Sequence, residues 1–147
     1  MQMTNQTITI INAENLILGR MASIVAKRLL KGEKIIIVKT EKAVFSGKKK
    51  SKVREAKEFL EVGHPKKGPV HYRRPDRIVR RTVRGMLPYK QSKGKQAYKR
   101  LKVFIGIPEE LKDRKMETLA EVHAKKLTCP YFTLGEFAKE IGWTGGE

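Results

Sequence analysis

Four arginines, Arg77, Arg80, Arg81 and Arg84, stand at i, i+3, i+4 and i+7. On a helix turning about 100° per residue they form one stripe. Ile78, Val79, Val83, Met86 and Leu87 occupy the other side. Such a helix packs one face on its domain and offers planar guanidinium forks on the other, a geometry suited to phosphate oxygens. A solvated basic face explains most charge runs, but here only Asp76 lies nearby and four arginines cannot neutralise one another. Arg73, Arg74, Lys90, Lys93, Lys95, Lys99 and Arg100 extend the basic character to either side. Lys48, Lys49, Lys50 and Lys52, with Lys66 and Lys67, lie in glycine-flanked segments and suit backbone contact without sequence readout. Tyr72, Tyr89 and Tyr98 are interleaved with these charges, and two roles stay open for each: stacking on unpaired bases, or amphipathic packing. Gly19-Arg20 opens a helix, where free N–H groups and Arg20 hold an anion or form a plain tight turn.

Catalytic chemistry finds nothing comparable. His64, His71, His123 and Cys129 have no metal-ligand spacing, and a structural zinc needs four ligands. Ser46-Gly47-Lys48-Lys49 approaches a phosphate loop, yet Lys42 stands where that pattern needs Gly and Lys49 where it needs Ser or Thr. The first strand-to-helix connection contains only Gly19, so the three spaced glycines of a dinucleotide site are missing. No metal, cofactor or small-molecule substrate is expected.

The chain has 147 residues, with 33 Lys and Arg against 15 Asp and Glu, a formal charge of +18. Residues 1–41 carry +3, residues 42–102 carry +17 from 21 basic and 4 acidic side chains, and residues 103–147 carry −2. Charge this concentrated is the footprint of a polyanionic partner rather than a general aid to solubility. It also predicts that Gly47–Lys52, Gly63–Gly68 and Tyr89–Lys95, poor in apolar anchors, order only when a polyanion supplies counter-charge. With 39% hydrophobic residues the chain can build a core, which excludes wholesale disorder. The longest aliphatic run, Ile35-Ile36-Ile37-Val38, falls far short of the ~20 apolar residues that cross a bilayer. Met1–Thr7 lacks the basic and apolar regions of a secretory signal. A cytoplasmic protein with one unpaired cysteine is expected, without a membrane partner.

These charges need a scaffold. Thr7–Ile11 alternates and then runs apolar, a first strand. From Gly19 to Lys31 the apolar positions follow helical spacing until Gly32. Lys34–Val38 reads as a strand buried on both faces, as parallel sheets require. Strand, helix and strand make a βαβ unit. Ala43-Val44-Phe45 has no clear assignment. Helices are expected over 51–62, from Pro75 to about Met86, and over 94–101. Gly85 reads as a helix end with left-handed or closely packed backbone. Lys102–Ile105 is a further strand, the stretch 108–126 is partly helical, and Thr133 with Glu136 has capping-box spacing before a last helix to Ile141. One domain spanning 1–147 is expected, without repeat or linker, with a helical tail after 108.

Several blocks together resemble a known family: Asn12-Ala13-Glu14 with Leu18-Gly19-Arg20-Met21-Ala22-Ser23, then Glu41–Gly47, then Arg74-Pro75 with Val83-Arg84-Gly85-Met86-Leu87-Pro88, then Leu101–Pro108. In this order, over roughly residues 8–110, they resemble ribosomal protein L13 (uL13) of the large subunit. The length and the segment Lys48–Tyr72 look archaeal. The resemblance implies a three-layer α/β/α sandwich around a mostly parallel four-stranded sheet, binding to large-subunit (23S-type) rRNA, neighbouring subunit proteins as partners, no homo-oligomer and no catalysis. A contribution to subunit assembly follows from it. The alternative from another class, an α/β enzyme acting on nucleotides or nucleic acid, is favoured only by sheet architecture. A messenger-RNA-binding repressor role, described for eukaryotic relatives, rests on no residue of this sequence.

Overall fold

The computed structural model describes residues 8–145. Strand β1 (Ile8–Asn12), helix α1 (Leu18–Leu30) and strand β2 (Lys34–Val38) form the expected βαβ unit, with Ile10 opposite Ile36 and Ile11 opposite Ile37 in a parallel ladder. Thr7, read as the start of β1, lies outside the described residues. Strand β4 (Leu101–Val103) pairs with the other edge of β2, again parallel, giving the order β1-β2-β4. The central place of β2 accounts for its unbroken aliphatic run. Ile35 and Ile37 pack with Ile11, Leu101 and the α1 residues Met21, Val25 and Leu29. On the opposite face Val38 packs with Ile10 and Leu111, supported by Ile36, Phe104 and Ile107.

The sheet is smaller than the four strands expected. Lys39 takes left-handed backbone (φ 55°) and enters a 3-10 turn at Thr40–Lys42. There the fully buried Thr40 donates its hydroxyl to the Phe104 carbonyl at 3.1 Å, and the Glu41 carboxylate accepts from the Gly106 N–H at 2.9 Å. This turn carries the chain off the parallel sheet. The unassigned Ala43–Phe45 piece becomes β3 (Val44–Ser46), which pairs antiparallel with β5 (Tyr131–Thr133) in a separate two-stranded sheet. Beyond β1 the ladder continues through a single residue: Asn12 N–H donates to the Glu117 carbonyl at 2.9 Å, and Glu117 N–H donates to the Ile10 carbonyl at 2.7 Å.

Helix α2 (Lys49–Glu61) begins two residues earlier than expected and buries only Val53. Helix α3 (Pro75–Met86) has the expected bounds, with proline in its first turn, where a missing N–H costs nothing. Helix α4 (Ser92–Lys99) ends before Arg100, so β4 starts one residue earlier than Lys102. The tail after 108 is only partly helical until late. It makes 3-10 turns at Glu109–Leu111, Ala120–Val122 and Ala124–Lys126, then helix α5 (Leu134–Glu140). Thr133 caps α5 by accepting from the Glu136 N–H at 3.3 Å, as the spacing predicts.

Candidate nucleic-acid interface

Helix α3 is fixed from below by Val79 and Val83, both fully buried in the core shared with α1 and the sheet. That leaves the arginines on the outer side: Arg77 and Arg81 are exposed, Arg80 and Arg84 half-buried. The interleaved tyrosines have a role the sequence did not settle. The Arg77 guanidinium lies 5.8 Å from the Tyr72 ring centre, Arg80 4.5 Å from Tyr98, and Arg84 4.0 Å from Tyr89. Tyr89 and Tyr98 meet edge to face at 5.5 Å. Each tyrosine therefore serves as a seat for one stripe arginine, and one ring face is taken. An arginine on an aromatic face gains about 0.5–1 kcal/mol when exposed and ~2 when desolvated. It is also held more nearly in one orientation, which lowers the entropy lost on binding.

Carboxylates do not compete for this face. Asp76 pairs with Arg74 at 3.3 Å and accepts from the Arg77 N–H at 2.9 Å. Among the described residues none of Arg77, Arg80, Arg81 and Arg84 makes an ion pair. Four other acids serve cations elsewhere: Glu33 and Glu117 hold Arg28, Glu140 holds Lys49 at 3.6 Å, and Glu14 holds Lys39 at 3.3 Å and Lys42 at 3.7 Å. The Lys39 hydrogen bond and charge, with the Lys42 charge, keep the Glu14 carboxyl below its ordinary range.

The remaining basic residues separate by position. Lys90, Lys93, Lys95 and Lys99 are exposed on α4 and its approach, beside the stripe, because Tyr89 and Tyr98 dock on α3 arginines. Lys48, Lys50 and Lys52 are exposed at the start of α2. Lys50, Arg54 and Lys57 line one hollow on that helix, though Glu58 and Glu61 share it. Arg54 and Lys57 escaped the sequence reading, and their i+4 and i+7 spacing from Lys50 was the available signal. Lys66 and Lys67 occupy an exposed turn closed by hydrogen bonds between His64 and Gly68. Arg73 is exposed and lies against Gly142; Arg74 is the partner of Asp76. Arg20 is exposed in the first turn of α1. Arg100 is half-buried and also makes a contact within the fold. Its guanidinium donates to the Leu29 carbonyl at 2.5 Å, which also accepts from the Gly32 N–H at 3.0 Å, and so ties β4 to the end of α1.

Two further expectations change. Gly85 is an ordinary helical residue of α3, not a left-handed or crowded end, and a Cβ there would meet only the Arg81 side chain, at 3.9 Å. A crowded glycine lies nearby at Gly94, whose Cβ would fall 2.0 Å from the Pro88 carbonyl oxygen. Of the three segments expected to need a polyanion for order, two are built into the fold. Gly47 donates its N–H to the Pro130 carbonyl at 2.8 Å and leads into α2, while Gly94 anchors the start of α4.

Fold and face define a small, strongly basic α/β protein with a pre-formed and uncompensated cationic surface. The sequence profile of the family described as Ribosomal protein L13 matches residues 6–110. Similar curated proteins, each named "Large ribosomal subunit protein uL13", come from archaea. That of Methanopyrus kandleri is 48% identical over 138 residues, 92% of this chain and 87% of the relative. That of Archaeoglobus fulgidus is 47% identical over 139 residues, 93% and 89% of the two chains, and that of Methanosarcina barkeri 48% over 136, 91% and 97%. The chain belongs to the ribosomal protein L13 family.

Proposed function

We propose that this protein is a structural component of the large ribosomal subunit in the cytoplasm, binding and stabilising folded large-subunit rRNA through the α3 face and the lysines around it. It contributes to subunit assembly, contacts neighbouring subunit proteins and catalyses no reaction. The observation that carries this reading is the set of four stripe arginines, three seated on tyrosines and none paired with a carboxylate. Guanidinium edges free of internal partners are matched by phosphodiester oxygens, and release of counterions from the RNA supplies the driving force.

The test is the salt dependence of binding to transcribed large-subunit rRNA. Replacing Arg77, Arg81 and Arg84 together by Gln is expected to flatten the slope of log affinity against log salt by about 2 to 3, at roughly 0.7–0.9 per lost phosphate contact. The circular dichroism should be retained, since Val79 and Val83 on the opposite side fix the helix. An unchanged slope would remove this face from the interface.

A further inference from the structure

Gly85 poses a question that the fold does not answer. It lies in the last turn of α3 with ordinary helical backbone, and beyond its own helix turn a Cβ there meets only the flexible end of the Arg81 side chain, at 3.9 Å. Gly94 and Gly135 are different: a Cβ on either would come within 2.9 Å of a neighbouring carbonyl oxygen, so packing demands glycine. A glycine inside a helix is less stable than alanine, because it loses more backbone freedom on folding. At Gly85 neither strain nor crowding within the protein repays that loss.

What the missing side chain leaves open is a cleft of about 450 Å³ between the end of α3 and the chain that follows it. Its walls include Leu87, Pro88 and Tyr89, and Arg81, Arg84 and Lys90 contribute its charge. Guanidinium and ammonium groups only donate hydrogen bonds, so a fitting ligand carries anionic acceptors. The end of a helix also presents carbonyls without intrahelical partners, which accept and do not donate. A ribose–phosphate chain meets both conditions, its phosphates facing the cations and its 2′-hydroxyl able to donate to a carbonyl.

We infer that Gly85 is a point of close approach, where the ribose–phosphate backbone of an RNA strand lies directly against the last turn of α3. This rests on the rRNA-binding reading above and adds a steric requirement to it: the contact depends on the absence of a side chain, whereas the arginines act through charge.

Gly85→Ala and Gly85→Leu in the full chain test the inference, with thermal melting and affinity for transcribed large-subunit rRNA measured together. Both substituents are good helix formers. Gly85→Ala is expected to melt at or above the parent temperature yet bind at least about fivefold more weakly, and Gly85→Leu to bind more weakly still. A variant that is better folded and worse at binding is not produced by a merely structural glycine. Parental affinity in both variants overturns the inference, and so does a lower melting temperature for Gly85→Ala, which would return the glycine to the fold. Arg84→Gln, measured alongside, separates the two levels. If it weakens binding while the Gly85 variants do not, only the close approach fails; if Arg84→Gln also binds like the parent, the α3 face itself is not the RNA contact.

Discussion

Arg84 sits over Tyr89 with its guanidinium carbon 4.0 Å from the ring centre, and Tyr89 meets Tyr98, which carries Arg80 at 4.5 Å, with the two rings nearly perpendicular. Two arginines from one helix are thus held by two tyrosines from the next segment, and each pair steadies the other. The arrangement converts flexible side chains into groups of restricted direction.

Tyr89 is therefore a positioning residue whose aromatic face matters more than its hydroxyl. Tyr89→Phe should bind rRNA like the parent. Tyr89→Leu should bind a few-fold to about thirtyfold more weakly, corresponding to the ~0.5–2 kcal/mol of a cation on an aromatic face. In a double-mutant cycle with Arg84→Gln the two losses should not add. Full additivity would mean that Tyr89 touches the RNA itself.

Gly94→Ala should destabilise the protein despite improving helix propensity. The added methyl would meet the Pro88 carbonyl at 2.0 Å and the Tyr89 nitrogen at 2.9 Å, both backbone atoms that cannot rotate away. Overpacking of this kind costs roughly 1–3 kcal/mol, read from the urea midpoint. Because the same contact places Tyr89 and Tyr98, rRNA affinity should fall as well. Normal stability would show that the start of α4 can shift freely.

The parts legible in the sequence were those set by local pattern. The βαβ unit, the bounds of α3 and the Thr133 cap follow from apolar period, proline and capping chemistry within a few residues. The pairing of β3 with β5 was not legible, because Val44–Ser46 is too short to show a period and its partner strand lies near the other end of the chain. At the site, the arginine stripe was visible as spacing. The tyrosine seats were visible only as proximity in sequence, and which ring receives which arginine depends on how α4 docks. Arg100 had the same composition signal as its neighbours, and only the approach of α1 shows its hydrogen bond to the Leu29 carbonyl.

The ion pairs of Glu14 give a pH dependence whose sign is fixed. Lys39 and Lys42 hold its carboxyl below the ordinary value of 4.5. The folded state therefore favours the ionised form, and the resulting stability is present above pH 4.5 and lost as pH falls through the lower folded value. The carboxyl is more than a third exposed, so the effect should be no more than the fraction of a kcal/mol usual for surface pairs. Glu14→Gln should flatten the melting profile below pH 4.5 and leave it nearly unchanged at pH 7. An identical acid slope in the variant would assign the loss to other carboxylates.

Limited trypsin digestion of the free protein should begin at Lys66 or Lys67. Residues 61–67 are all exposed, and the turn is closed mainly by its own hydrogen bonds between His64 and Gly68. Lys52 and Lys95, inside α2 and α4, should be cut later, because cleavage requires local unfolding of a helix. Bound rRNA should slow the first cut if this turn lies in the interface. Equal early cleavage at Lys52 and Lys95 would show that these helices open readily in the free protein.

Glu117 has one further consequence. A strand at the margin of a sheet exposes a ladder of unused backbone groups, an invitation to pairing with other chains and to aggregation. On the outer side of β1, Glu117 takes the Asn12 N–H and the Ile10 carbonyl, and Arg28 grips its carboxylate with hydrogen bonds of 3.2 and 3.3 Å. An incoming segment finds the middle of that margin already occupied. One residue, clamped by one ion pair, does there the blocking that a whole additional strand would otherwise have to provide.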